Sequence, residues 1–229
     1  MNFSLLVMSK SPVLGYVKTR MQPRLSQQKS LQLHIALTQY CLKQWSTVDG
    51  LSIQLWVGGD IENFQSQVLS PMGDEFVGKY GIYSQPEGDL GKKMSFAVTS
   101  VFNKNSTDVE ANTQSKHTQN QQEGVFLVGT DCPFIDEKYL ALAKSELEKT
   151  DVVIGPATDG GYVLIGMKKS YPALFDNILW GSSSVLKKTQ SIILQENLQS
   201  VLLPPLPDID VVGDLEHLDG YEEFSIFKV

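Results

Sequence analysis

Hydrophobic residues occur along the chain in short continuous or alternating runs, separated by segments with helical spacing. The runs predict strands at residues 3–8, 51–57, 81–84, 125–128, 152–154, 162–167 and 201–203. Apolar positions recurring every three or four residues predict helices at 26–45, 61–69, 90–102, 139–149 and 182–194, with Ser26 as the N-cap of the first. A helical turn capped by Asp214 is predicted at 214–218.

Strands that alternate with helices predict an α/β fold, in which helices cover both faces of a mostly parallel sheet. Only residues 157–161 separate two of the strands, which is too short for a crossover helix, so that pair is expected to be antiparallel. Residues 103–123 are rich in Asn, Gln, Ser and Thr. Because such a segment buries little apolar area, we predict a flexible surface insertion there, within a single domain that spans 1–229.

Composition and charge narrow the function classes. The chain has 229 residues and a formal net charge of −7, which disfavours general binding to nucleic acid or anionic membranes. The first 48 residues nevertheless contain Lys and Arg but no Asp or Glu, so a small anionic ligand is expected there. No apolar run is long enough to span a bilayer, and the two cysteines fit a reducing compartment, so a cytoplasmic location is predicted.

The loop after the first strand contains Lys10, Gly15, Lys18 and Arg20. Gly15 permits a tight turn, and lysine and arginine can hold phosphate oxygens just before a helix. The ordinary alternative is a strand-to-helix loop with solvated cations. We expect a phosphate-binding loop, because several features agree.

Two acidic segments follow other predicted strands. Asp131 comes directly after the 125–128 strand, where a carboxylate can hold Mg²⁺ or Mn²⁺ or can simply cap a helix. In Asp208-Ile-Asp210 the two acids point to the same side of an extended segment. We predict that Asp131 and Asp210 converge on one metal ion.

The segment around Asp159, Gly160, Gly161 and Tyr162 allows two interpretations. Asp-Gly between two strands is a strong hairpin signal. Alternatively, Asp159 faces the substrate and Tyr162 stacks on it or binds it through the hydroxyl group. The three histidines are scattered, and we interpret each as a surface residue.

These segments together resemble the DUF2064 family, bacterial proteins related to the nucleotide-diphospho-sugar transferase (GT-A) superfamily. The motifs that carry the resemblance are Lys10-Ser-Pro-x-x-Gly15-x-x-Lys18-Thr-Arg20, Gly88-Asp-Leu-Gly91, Gly129-Thr-Asp131-Cys-Pro133, Gly155-Pro-x-x-Asp159-Gly-Gly-Tyr162, Trp180-Gly-Ser and Asp208-Ile-Asp210. They run nearly end to end, and only the polar 103–123 segment lies outside the match.

The resemblance implies a three-layer α/β/α, Rossmann-like GT-A fold and a nucleotide-activated substrate. The first loop and residues 85–91, with Gln85, Gly88 and Gly91, would hold that substrate. Asp131 would be the metal carboxylate. The residues expected to bind the substrate also include Gly160, Gly161, Tyr162 and Trp180.

Three functions stay open at this point. The first is a glycosyltransferase that uses a nucleotide-diphospho-sugar and Mg²⁺ or Mn²⁺, with Asp159 and Asp131 as catalytic residues. The second is a nucleotidyltransferase that joins a nucleoside triphosphate to a small phosphorylated or carboxylated metabolite. The third is a non-catalytic nucleotide-binding protein.

Overall fold

Seven strands form one mixed sheet in the computed structural model, which describes residues 2–22, 24–107 and 123–227. The strand order is β3-β2-β1-β4-β6-β5-β7. Neighbouring strands are parallel except at β6, which is antiparallel to both β4 and β5. The strands are β1 (Asn2–Lys10), β2 (Leu51–Gly58), β3 (Gly81–Ser84), β4 (Glu123–Gly129), β5 (Val152–Pro156), β6 (Tyr162–Met167) and β7 (Ser200–Leu202).

Helices lie on both faces of this sheet. They are α1 (Gln27–Trp45), α2 (Ile61–Phe64, continuing through a π-helical turn at Gln65–Leu69), α3 (Leu90–Thr107), α4 (Glu137–Leu147) and α5 (Val185–Gln195). Short 3₁₀ helices occur at Thr19–Met21, Ser70–Met72, Pro172–Phe175, Val212–Leu218 and Glu222–Phe227.

Alternate residues of β1 show how the layers form. Leu5 and Val7 pack under α1, α2 and α4, whereas Leu6 points to the opposite face, under α3 and α5. Because successive side chains of a strand point to opposite faces, one strand supplies both hydrophobic cores. The predicted α/β/α architecture with a mostly parallel sheet is therefore confirmed.

Local capping places several helix starts where the sequence predicts them. The Ser26 hydroxyl accepts the backbone N–H of Lys29 at the start of α1. Helix α5, in contrast, starts three residues later than predicted. The Ser182 hydroxyl donates to the Leu179 carbonyl at 2.7 Å, which favours a turn before the helix.

The predicted 103–123 insertion has different ends in the structure. Helix α3 continues to Thr107, and β4 opens at Glu123. The rest of that prediction, residues 108–122, lies outside the described residues. No helix in the described ranges combines the length and apolar character needed to cross a membrane.

Candidate functional site

The predicted site segments meet at the carboxyl edge of the parallel strands. The first loop follows β1, and the Asp131 segment follows the adjacent strand β4. The chain after β7 starts at the far edge of the sheet and crosses back over the end of β5, where the Leu206 N–H donates to the Pro156 carbonyl at 3.0 Å. It then reaches Asp131, so acids that are distant in sequence become neighbours.

A cavity of about 590 Å³ opens at this edge. The predicted residues that line it are Lys10, Lys18, Arg20, Gln85, Asp131, Asp159, Gly161, Tyr162, Trp180 and Asp210. The structure thus brings together both cationic and acidic groups of the prediction. The volume of the cavity falls within the range of small-molecule binding sites.

Four predicted binding glycines, Gly15, Gly88, Gly91 and Gly160, are not among the lining residues. Gly15 and Gly88 adopt positive φ angles of 79° and 127°, which suit a turn. A Cβ on Gly91 would stand 2.3 Å from the Phe175 carbonyl oxygen. Direct contact of these glycines with a ligand remains a prediction for each.

Lys18 is held inside the site. The backbone of Lys18 has a left-handed conformation, with φ 48° and ψ 39°, just before the 3₁₀ helix that begins at Thr19. The ammonium pairs with the Asp131 carboxylate and donates to the Ile209 carbonyl, and only 3% of the side chain is exposed. Burial raises the pKa of the Asp131 carboxyl, but the Lys18 ammonium outweighs that effect and brings the pKa below its ordinary value.

Arg20 makes the second contact between the first loop and the acids. Its guanidinium pairs with the Asp210 carboxylate at the surface of the cavity. The Asp214 carboxylate accepts the backbone N–H groups of Asp210 and Val211, at 2.7 and 2.6 Å. The predicted cap by Asp214 is therefore misplaced, because the 3₁₀ helix begins at Val212 and Asp214 lies inside its first turn.

Asp208 is a cavity residue that the sequence analysis leaves out of the metal site. Burial, together with the nearby charges of Asp159, Asp210 and Asp131, raises its pKa from 3.8 to about 6. Negative charge is therefore concentrated around Asp208, although the cavity lining as a whole carries as many basic as acidic side chains. The signal was in the sequence, since Asp208 and Asp210 share one side of the segment.

His34 overturns the prediction of surface histidines. It lies in α1, is buried, and its ring Nε2 is 2.9 Å from the Lys10 carbonyl oxygen. Its spacing from Leu31 and Leu37 indicated the buried face of the helix. His217 is exposed, as predicted, and His117 lies outside the described residues.

The hairpin interpretation of Asp159 has direct support. Its carboxylate accepts the Gly161 N–H at 2.8 Å, between the antiparallel strands β5 and β6. The side chain also lines the cavity, so the substrate-facing interpretation of Asp159 stays a prediction that is compatible with the hairpin. Nearby, the rings of Tyr162 and Trp180 meet edge to face, with centroids 6.2 Å apart.

Gln85 lines the cavity from the other side and also holds the sheet together. Its amide nitrogen donates to the carbonyls of Ser9 and Trp56, at 3.1 and 2.9 Å. Much of its hydrogen-bonding capacity is therefore used within the protein.

Three carboxylates of the cavity are candidate metal ligands. Asp131, Asp208 and Asp210 line the cavity and offer the hard oxygen donors that Mg²⁺ and Mn²⁺ prefer. Within the described ranges, however, no three His, Cys, Asp or Glu side chains form a group that could by itself hold a metal. The residues fit a cation that is shared with the phosphates of a substrate, which is the usual arrangement for Mg²⁺.

Comparison with known families and structures gives the wider context. The model of DUF2064, described as uncharacterized protein conserved in bacteria, matches residues 41–182. A "putative nucleotide-diphospho-sugar transferase" from Desulfovibrio desulfuricans G20 is 26% identical, with a TM-score of 0.78, over 98% of this chain and 90% of that one. A search of curated proteins gave no match.

More distant structures share the fold alone. Rv0371C from Mycobacterium tuberculosis H37Rv, crystallised in complex with manganese, is 11% identical, with a TM-score of 0.53, over 95% of this chain and 98% of that one. The 4-diphosphocytidyl-2C-methyl-D-erythritol synthase from Anaerococcus prevotii DSM 20548 is 14% identical, with a TM-score of 0.55, over 96% and 95%. The Rossmann-like fold of nucleotide-sugar transferases is thus confirmed.

Proposed function

The chain belongs to the DUF2064 family, and from that membership and the geometry of its cavity we propose that it transfers a sugar from a nucleotide-diphospho-sugar to an acceptor. One observation carries the proposal. Lys18 and Arg20 meet Asp131 and Asp210 at the carboxyl edge of the sheet, inside a cavity of substrate size. A diphosphate and its cation need these two kinds of group side by side. The similarity to the Desulfovibrio protein, a "putative nucleotide-diphospho-sugar transferase", supports the same reaction class.

The first loop would bind the phosphates. Lys10, Lys18 and Arg20 line the cavity and supply positive charge for the diphosphate oxygens. Residues 85–91 would surround the base, with Gln85 keeping that segment attached to β1 and β2. The substrate is thus a small nucleotide-linked molecule rather than a nucleic acid.

Asp131 and Asp210 would hold Mg²⁺ or Mn²⁺, with Asp208 beside them. When bound, the divalent cation would stabilise the negative charge that develops on the leaving diphosphate. The manganese in the Mycobacterium tuberculosis complex belongs to that protein, and it motivates Mn²⁺ as the first ion to test.

Asp159 would act on the acceptor. It lies at the cavity and its electrostatic contact with Asp208 joins the two acids in one environment. A carboxylate there can accept the proton of an acceptor hydroxyl group or orient it. Tyr162 and Trp180 would form the adjacent wall.

Nucleotidyl transfer is the second candidate function. It is favoured by the fold that the chain shares with the 4-diphosphocytidyl-2C-methyl-D-erythritol synthase from Anaerococcus prevotii. The same cations and acids would then bind a triphosphate, and pyrophosphate would leave.

We also propose that the chain works as one domain in the cytoplasm, which suits its buried free cysteines, Cys41 and Cys132.

The test is a panel of nucleotide-sugars and nucleoside triphosphates, each with and without Mn²⁺. Binding is read by thermal shift, since a ligand at 100 times its Kd adds about 2.7 kcal/mol of apparent stability. Release of a nucleoside diphosphate supports glycosyl transfer, and release of pyrophosphate supports nucleotidyl transfer. Binding without turnover across the panel would instead indicate the non-catalytic nucleotide-binding protein. Asp131→Asn is expected to abolish metal-dependent binding, and unchanged binding would refute its assignment.

A further inference from the structure

The two cations of the first loop already neutralise the carboxylates that would hold a metal. Lys18 pairs with Asp131, and Arg20 pairs with Asp210. The pairing is one to one, and both cations come from a single short segment. In the structure these four groups bind one another, whereas in the proposed function the cations bind a diphosphate and the carboxylates bind a metal ion.

The two ion pairs differ in accessibility. The Lys18 side chain is 3% exposed and also donates to the Ile209 carbonyl, whereas the Arg20 side chain is 62% exposed. About half of the Asp131 side chain, 49%, faces solvent. A cation can therefore approach Asp131 from the cavity, but it then comes close to the buried ammonium of Lys18.

A metal cation on Asp131 and the Lys18 ammonium carry like charges, which repel strongly at short range. The repulsion is much less screened near a protein surface than in bulk water, and a divalent ion doubles it relative to a monovalent one. A divalent cation alone would bind poorly while Lys18 stays on Asp131. A diphosphate alone would have to draw both cations away from their carboxylates.

We propose that Lys18 and Arg20 are exchangeable counter-ions, which hold Asp131 and Asp210 until a diphosphate takes over the cations and frees the carboxylates for the metal. The proposal rests on the function proposed above. It makes metal and diphosphate bind cooperatively, each one weakening the contacts that oppose the other.

The backbone of the loop suits a contact that can be released. Lys18 has a left-handed conformation, which is unfavourable for a residue other than glycine. Such a conformation persists where surrounding contacts hold it, and here the contacts of the ammonium contribute to that. When the ammonium leaves Asp131, the loop can relax.

The experiment measures the binding of Mn²⁺ alone, by the loss of its free electron paramagnetic resonance signal. Wild type is compared with Lys18→Met and with Arg20→Met. Lys149→Met is the matched control, because it removes a cation from the exposed ion pair with Glu146. A double variant, Lys18→Met with Asp131→Asn, identifies the carboxylate that gains the ion.

We expect Lys18→Met to bind Mn²⁺ about tenfold more tightly or better, because a charge opposed to the metal is removed. Arg20→Met should gain affinity less strongly, and Lys149→Met should behave as wild type. The double variant should lose the gain. At buffered free Mn²⁺, inorganic pyrophosphate should raise the Mn²⁺ affinity of wild type at least fivefold, and of Lys18→Met much less.

Equal Mn²⁺ affinity in wild type, Lys18→Met and Arg20→Met would overturn the proposal, as would tight Mn²⁺ binding by wild type that pyrophosphate does not change. If circular dichroism finds Lys18→Met unfolded, Arg20→Met decides, since its side chain is exposed. None of these readouts needs turnover. The proposed function can therefore fail in the substrate panel while the exchange of counter-ions stands, or the reverse.

Discussion

The Ile209 backbone N–H donates to the Asp131 carbonyl oxygen at 2.8 Å. This bond attaches the segment after β7 to the end of β4, although β7 is at the far edge of the sheet. On either side of Ile209, Asp208 and Asp210 are thereby brought to the cavity. The Ile209 side chain adds to this link, because it is fully buried in the hydrophobic cluster that contains Met21 and Leu33.

Removing the Asp131 carboxylate should destabilise the fold. In Asp131→Ala, the nearly buried Lys18 ammonium loses its counter-ion and keeps the Ile209 carbonyl. We expect the free energy of unfolding to fall by about 2 kcal/mol, measured by urea denaturation. Glu146→Ala, which breaks an exposed ion pair with Lys149, should cost about 0.5 kcal/mol or less. Equal losses in the two variants would contradict the role given to the Lys18–Asp131 pair.

The stability of the protein should depend on pH through Asp208. Its pKa is raised from 3.8 to about 6 in the folded state, so between these values the folded chain binds more protons than the unfolded chain. Its contribution to stability therefore falls as pH rises through that window. Asp208→Asn should raise the free energy of unfolding by about 1 kcal/mol at pH 7.5, a value reduced for solvent screening of this partly exposed group.

The gain in Asp208→Asn should become much smaller as the pH is lowered to 4, where the carboxyl is protonated in the folded state and close to half protonated in the unfolded state. Urea denaturation of the two proteins at pH 4, 5, 6 and 7.5 measures this difference. A variant that is less stable than wild type at pH 7.5 would mean that the Asp208 carboxylate is stabilised by a partner instead.

The positions of the strands along the chain and their approximate bounds were predictable from the sequence, because period-two patterns and buried runs depend on local spacing. The antiparallel direction of β6 was also predictable, since the connection from β5 is too short for a crossover. The convergence of Asp131 and Asp210 required the additional assumption that the final segment crosses the edge of the sheet. That path is set by long-range bonds, such as the one between Ile209 and Asp131.

The partners of individual side chains were not readable in the same way. The sequence presents Lys18 as a solvent-facing cation for phosphates, and the fold places its ammonium on Asp131, more than a hundred residues away. His34 is different, because its buried position followed from helical spacing and was missed by treating histidine as a surface residue. The partner of Lys18 depends on tertiary structure, whereas the burial of His34 was missed through an incomplete use of the pattern.

Gly160 should tolerate no side chain. Its φ is 95°, and a Cβ there would stand 2.3 Å from the Ser183 carbonyl oxygen and 2.8 Å from the Ser183 Cα. Gly160→Ala should lower the free energy of unfolding by about 3 kcal/mol, through strain and displacement of the cavity wall. Gly181→Ala is the matched control, with φ 78° and open space around the new methyl group, and should cost about 1 kcal/mol. A similar cost for both would mean that the wall near Ser183 yields easily.

His34 should make the protein less stable in mild acid. Its Nε2 lies 2.9 Å from the Lys10 carbonyl, and since a carbonyl only accepts, the ring nitrogen must donate. Burial lowers the pKa of His34 below 6.5, although the nearby Asp131 charge acts in the opposite direction. Below pH 6.5 the unfolded chain therefore binds a proton that the folded chain does not, and stability falls as the pH falls.

Two variants separate this titration from the hydrogen bond. His34→Gln keeps an N–H group near the Lys10 carbonyl but cannot titrate, so its stability relative to wild type should rise as the pH is lowered from 7.5 to 5.5. His34→Leu loses the donor as well, and should cost about 1 kcal/mol at pH 7.5. Urea denaturation at both pH values measures these differences. If His34→Gln and wild type keep a constant difference across this range, the histidine does not exchange a proton on unfolding.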